Sequence, residues 1–70
     1  DVVELTPKQG APITSGKIKD ITIPKDIFIG GYIRDGIGHI ANGDSEIMPG
    51  DDVIVFCVSS SFHKLDKLFN

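Results

Sequence analysis

Residues Ile27 to Ile40 read IFIGGYIRDGIGHI, two apolar runs around the dipeptide Asp35-Gly36. Both positions of a two-residue hairpin turn require positive φ, which Asp-Gly tolerates, so the stretch predicts a β-hairpin. The turn sets the register: Arg34 opposite Ile37, Ile33 opposite Gly38, Tyr32 opposite His39 and Gly31 opposite Ile40. Strict alternation then puts Phe28, Tyr32, Arg34, Ile37 and His39 on one face. Ile27, Ile29, Ile33 and Ile40 fall on the other. The aliphatic face is expected to be buried, and the mixed face to meet solvent or a partner.

Working outward, the hairpin is flanked by short elements. Val2 to Leu5 reads as an opening strand that ends near Thr6-Pro7, and Gly10 and Pro12 break the loop that follows. Thr14 or Ser15 can cap a short helix over Gly16 to Asp20, with Ile18 and Ile21 inward. Pro24 stops it and biases Ile23 to extended backbone. Beyond the hairpin, Asn42-Gly43-Asp44 and Pro49-Gly50 are turn signals, with a short edge strand expected at Ser45 to Ile47. Val53 to Val58 is apolar throughout and β-branched, the pattern of a central strand covered on both sides. Ser59 to Ser61 offers N-caps for a last helix whose Phe62, Leu65, Leu68 and Phe69 form one stripe, with Lys64 and Lys67 on the wet side. The Val53 strand and the Phe62/Leu65/Phe69 stripe are the expected cover of the hairpin's aliphatic side. The reading is an α+β domain: a small, mostly antiparallel sheet with a central hairpin, one short helix and one C-terminal amphipathic helix.

Seventy residues make a single domain, 1–70. A chain this short buries only about 60% of its unfolded surface, so it needs a staple or a partner. Cys57 is the only cysteine, which removes internal disulfides, and no Cys/His quartet exists for zinc. Association is the remaining remedy. A net charge of −3 without a basic cluster argues against nucleic acid. The longest apolar run, Val53 to Val58, is too short to span a bilayer. There is no signal-peptide pattern, and a chain opening on Asp1 is expected to be a piece of something longer. A single thiol in an apolar strand suits a reducing, cytoplasmic setting.

No catalytic constellation emerges. Cys57 reads as a small buried hydrophobe, and His63 as a helix-surface residue. No acid–base pair lies in reach, so the chain is expected not to be an enzyme. Gly36-Ile-Gly38-His-Ile-Ala41 fits the letters of a dinucleotide fingerprint, but Asn42-Gly43 follows where a helix is required. Asp44, Glu46, Asp51 and Asp52 cluster about two turns without a calcium-loop pattern, so no metal site is assigned. Asp51 is expected to tie its side chain to nearby backbone amides and launch the closing strand. What remains is the mixed hairpin face. Arg34 reads either as an edge residue packing its stem on Ile37 or as a guanidinium that grips an anion or a partner carboxylate bidentately. His39, opposite Tyr32, is either solvated or a ligand contact. Tyr32, Arg34 and His39 are the ligand candidates, with Phe28 and Tyr32 as interface anchors.

Taken in order, GAPITSGKIKDITIPKDIFIGGYIRDG, ANGDSEIMPGDDVIVFC and FHKLDKLF resemble the C-terminal subdomain of RCK proteins, regulators of potassium conductance, of the type found in Trk-type uptake systems. The matching pieces are Gly16-Lys17, Ile23-Pro24, Ile33-Arg34, Asn42-Gly43-Asp44 and Pro49-Gly50-Asp51-Asp52, and together they span the chain. The resemblance implies a ligand-sensing regulatory domain that dimerises and follows a nucleotide-binding Rossmann-like half. It implies a cytoplasmic position beneath a membrane potassium transporter subunit whose ion flux it gates; a small anionic effector such as a nucleotide is what Arg34 on the mixed face suits. Some relatives bind a cyclic dinucleotide in the dimer cleft, but no motif for it aligns here, so no site and no cofactor is carried over. The alternatives are a purely structural dimerisation module, or a sensor appended to another cation or anion transporter.

Overall fold

The computed structural model describes all residues, 1–70. Four strands form one antiparallel sheet: β1 (Val2–Leu5), β2 (Ile27–Arg34), β3 (Ile37–Ile40) and β4 (Asp52–Cys57). Their spatial order is β1-β4-β2-β3. A single α-helix, α1 (Phe62–Phe69), closes the chain, and three-residue 3₁₀ turns occupy Pro12–Thr14, Ile18–Asp20 and Ser59–Ser61. The α+β class is as expected. No helix is long and apolar enough to cross a membrane.

The hairpin has the expected register, Arg34 to Ile37 through Gly31 to Ile40. Asp35 and Gly36 have φ of 54° and 76°, the double left-handed turn that Asp-Gly permits. The face assignment is corrected. Between β2 and β4, Ile29 pairs with Val55 but Gly31 pairs with Ile54, so Gly30 is the extra residue of a β-bulge. From Gly31 onward the alternation is inverted. Tyr32, Arg34, Ile37 and His39 share the face of Ile27 and Ile29, while Ile33 and Ile40 share the face of Phe28. The bulge is built for glycine. A β-carbon on Gly30 would lie 2.5 Å from the Phe56 ring, and one on Gly31 would lie 2.5 Å from the His39 carbonyl oxygen.

One layer covers one side of the sheet. Ile27, Ile29, Val53, Val55 and Cys57 meet Leu65, Leu68 and Phe69 of α1, with Ala11, Ile13 and Ile47 filling in from the loops. The Lys8 N–H donates to the Phe69 carbonyl at 2.9 Å, which fixes the helix end against the chain after β1. β4 is central, as expected, but covered on one side only: Val53, Val55 and Cys57 are buried whereas Phe56 is 44% exposed. It is also the in-sheet neighbour of β2 rather than its cover. Phe62 is exposed, so the helix stripe narrows to Leu65, Leu68 and Phe69.

Three smaller expectations also change. The short helix is a 3₁₀ turn at Ile18–Asp20, entered from Lys17 without a side-chain cap. Thr14 and Ser15 donate instead to the carbonyls of Ala11 and Pro12. The edge strand at Ser45 to Ile47 reduces to one bridge between Lys17 and Glu46, because Ile47 turns into the core at 1% exposure. Ser61 stands at the N-cap of α1 but its hydroxyl donates to Asp26 rather than to the helix amides.

Candidate functional site

The hairpin tip extends beyond the cover of α1, so its core-side face meets the loop that leads into β4. There Asp51 is 2% exposed. The Arg34 guanidinium grips it bidentately, Nε to Oδ1 at 2.8 Å and Nη2 to Oδ2 at 2.7 Å. Nη2 also donates to the Glu46 carbonyl at 3.0 Å. The Met48 N–H donates to Asp51 Oδ2 at 2.8 Å, the backbone tie expected of this residue. The fork that the sequence offered to an anion or a partner carboxylate is taken instead by a carboxylate of the chain itself. Each partner stabilises the other's charge. The hydrogen bond from Arg34 holds the Asp51 carboxyl below the usual carboxylate range against the opposing effect of burial. The same bond raises Arg34.

Tyr32 lies beneath this pair, with the guanidinium carbon 4.9 Å from its ring centroid. The His39 ring stacks on Tyr32 at 4.9 Å and 16°. Cross-strand pairing on a shared face brings the two rings together. The result is a continuous row, Asp51–Arg34–Tyr32–His39, running from a buried carboxylate to an exposed imidazole. Of the four sequence candidates, the fold joins Tyr32, Arg34 and His39. Phe28 is on the opposite face, where it packs against Phe56 with ring centroids 6.1 Å apart.

That opposite face is the second feature. It has no cover, and it is largely apolar: Val2, Phe28, Ile33, Ile40, Ile54 and Phe56, with Glu4 and Asp52 at its β1–β4 end. Ile40 is 87% and Phe28 64% exposed. Gly30, Gly31 and Gly38 floor a depression of about 320 Å³, walled by Ile40, Ile54 and Phe56. Large apolar side chains gathered in the open on one face make it a candidate interaction surface. Sequence reasoning missed it because it counted through the bulge. The paired glycines inside a strand were the available signal.

Elsewhere the chemistry is structural. No group of three His, Cys, Asp or Glu side chains is placed to hold a metal. Asp44 meets Lys19 at 2.9 Å in an exposed pair, and Asp52 accepts a hydrogen bond from Thr6. Asp26 accepts from the Ser61 hydroxyl and from Lys64, and these bonds lower its pKa to about 2. His63 is on the exposed side of α1 and Cys57 is buried in β4.

Comparison with known proteins agrees with this architecture. The Trk system potassium uptake protein TrkA of Azorhizobium caulinodans is 23% identical over 69 residues. The match takes in 99% of this chain and 15% of that protein, so the chain spans a small part of the relative's length. A solved structure described as an RCK domain with cda superposes with a TM-score of 0.80 at 19% identity, covering 96% of each chain, which establishes a shared fold. The model of the TrkA-C domain family matches residues 2–70. With nearly its whole length accounted for, the chain belongs to the TrkA-C domain family.

Proposed function

We propose that this chain is a regulatory, non-catalytic module of a potassium uptake system, cytoplasmic, acting beneath a membrane transporter subunit through self-association and effector binding. The observation that carries the reading is the uncovered apolar sheet face around Phe28, Ile40 and Phe56, which a second copy can bury. Membership of the TrkA-C domain family and likeness to a potassium uptake protein supply the biological setting. The stacked Tyr32 and His39 rings beside Arg34 are the effector end: a nucleotide base can stack on the exposed imidazole, and an anionic group can approach the guanidinium. An effector that prefers one arrangement of the dimer shifts the population toward it, by no more than its differential affinity.

Two measurements test this. Sedimentation across a concentration series gives a concentration-dependent dimer, and a monomer throughout defeats the association half. Titration with nucleotides, cyclic dinucleotides included, moves the Tyr32 and His39 ring resonances, and their silence defeats the effector half. A purely structural dimerisation module is the second reading, favoured by the engagement of Arg34 with Asp51. His39→Ala separates the two, since it weakens effector binding in the first and changes nothing measurable in the second.

A further inference from the structure

The Arg34 fork is already filled. Its Nε edge and Nη2 face Asp51 and the Glu46 carbonyl, and the Tyr32 ring covers one planar side. The Nη1 donors make no hydrogen bond within the chain, and the side chain is 36% exposed, so one corner of the guanidinium faces out. Asp51 cannot exchange its partner for water, being 2% exposed and held from behind by the Met48 N–H. Deleting the pairing would leave a carboxylate without compensation in a dry position.

We propose that Asp51 is an internal competitor for any anion at Arg34, so that it determines which anions this face accepts. The proposal rests on the reading of the hairpin tip as an effector site. Charge on the pair cancels locally, and the bidentate edge that best recognises carboxylate or phosphate is occupied by the chain itself. A simple anion therefore meets only the Nη1 corner and binds weakly. An effector gains Arg34 fully only when stacking on the exposed His39 imidazole contributes enough to displace Asp51. Displacement also frees Met48 and Glu46, which the same network holds, and so loosens the loop that plugs Ile47 into the core.

The test uses inorganic phosphate as the probe and the Arg34 Nε–H resonance of the ¹⁵N-labelled full chain as the readout. In Asp51→Asn, phosphate binds at Arg34 roughly tenfold or more tightly than in the unsubstituted chain, because a like charge at contact distance is gone. Equal or weaker binding in a folded Asp51→Asn chain overturns the proposal. Should that variant not fold, the unsubstituted chain decides. There, joint movement of the Arg34 Nε–H and Met48 N–H resonances only at high phosphate supports the competitor, and movement at low phosphate, or none at any concentration, overturns it. A nucleotide titration on the Tyr32 and His39 rings keeps the two readings apart. Ring shifts without any Asp51 dependence leave the effector site standing and the competitor refuted. Silent rings with a phosphate-binding Asp51→Asn chain do the reverse.

Discussion

At the scale of single residues, Arg34–Asp51 is the one ion pair of the fold with a buried member. Removing one partner strands the other. Arg34→Ala is expected to cost about 2–3 kcal/mol in denaturant unfolding, short of the ~3–5 kcal/mol of a fully buried pair because the guanidinium is partly solvated. Arg34→Lys recovers only part, since an ammonium cannot reproduce the fork. Asp26 gives a pH signature. Its pKa is lowered to about 2, first by the Ser61 hydroxyl and then by Lys64. A depressed carboxylate contributes stability that is fully present above its unfolded pKa and is lost as pH falls through the folded one. Unfolding followed between pH 5 and pH 2 should therefore show a stability loss that Asp26→Asn flattens. The identities of Tyr32, Arg34 and His39 as neighbours were legible in the sequence, because a turn fixes its own flanking pairs. The partner of Arg34 was not. Asp51 is seventeen positions away, and only the tertiary path of the 46–50 loop brings it into reach.

The element that governs the rest is β2 with its bulge. The Gly30 position is filled from outside by the Phe56 ring, so Gly30→Ala is expected to cost about 1–3 kcal/mol by overpacking. Trimming the ring in Phe56→Ala should relieve much of that, and a double-mutant cycle on thermal unfolding will read the coupling. Gly31→Ala finds no such relief, because its obstruction is the His39 backbone. The limits of sequence reading follow from the same element. The strands at Val2–Leu5 and Ile27–Arg34 and the turn at Asp35-Gly36 follow from local pattern and turn chemistry. Which face Tyr32 and Ile40 adopt depends on one unpaired residue, and hydrophobic alternation carries no mark of it beyond Gly30-Gly31. Likewise the run Val53–Val58 looks buried on both sides, yet Ile54 and Phe56 belong to a face that this chain alone does not cover.

For the molecule as a whole, the imbalance between its two faces is the main fact. One side of the sheet has α1 and the loops, and the other has solvent. Charged substitutions at the exposed positions, Ile40→Lys and Phe28→Glu, are expected to abolish self-association while leaving thermal stability of the monomer within about 0.5 kcal/mol of its starting value. Sedimentation and circular dichroism on the same samples check both halves. Phe56 is a poorer choice for this purpose because its ring also seats the bulge.

The strand order β1-β4-β2-β3 also imposes a timetable. The β2–β3 hairpin closes over a two-residue turn and is available within microseconds, on the order of 1–10 μs for such units. β4 joins it across the connection 41–51. β1 comes earliest in the sequence yet pairs only with β4, across roughly fifty residues. β1 is thus the strand whose pairing closes the longest loop in the sheet. Val3→Ala should raise the unfolding rate and leave the folding rate almost unchanged, whereas Ile29→Val should slow folding, as stopped-flow chevrons of the two variants will tell.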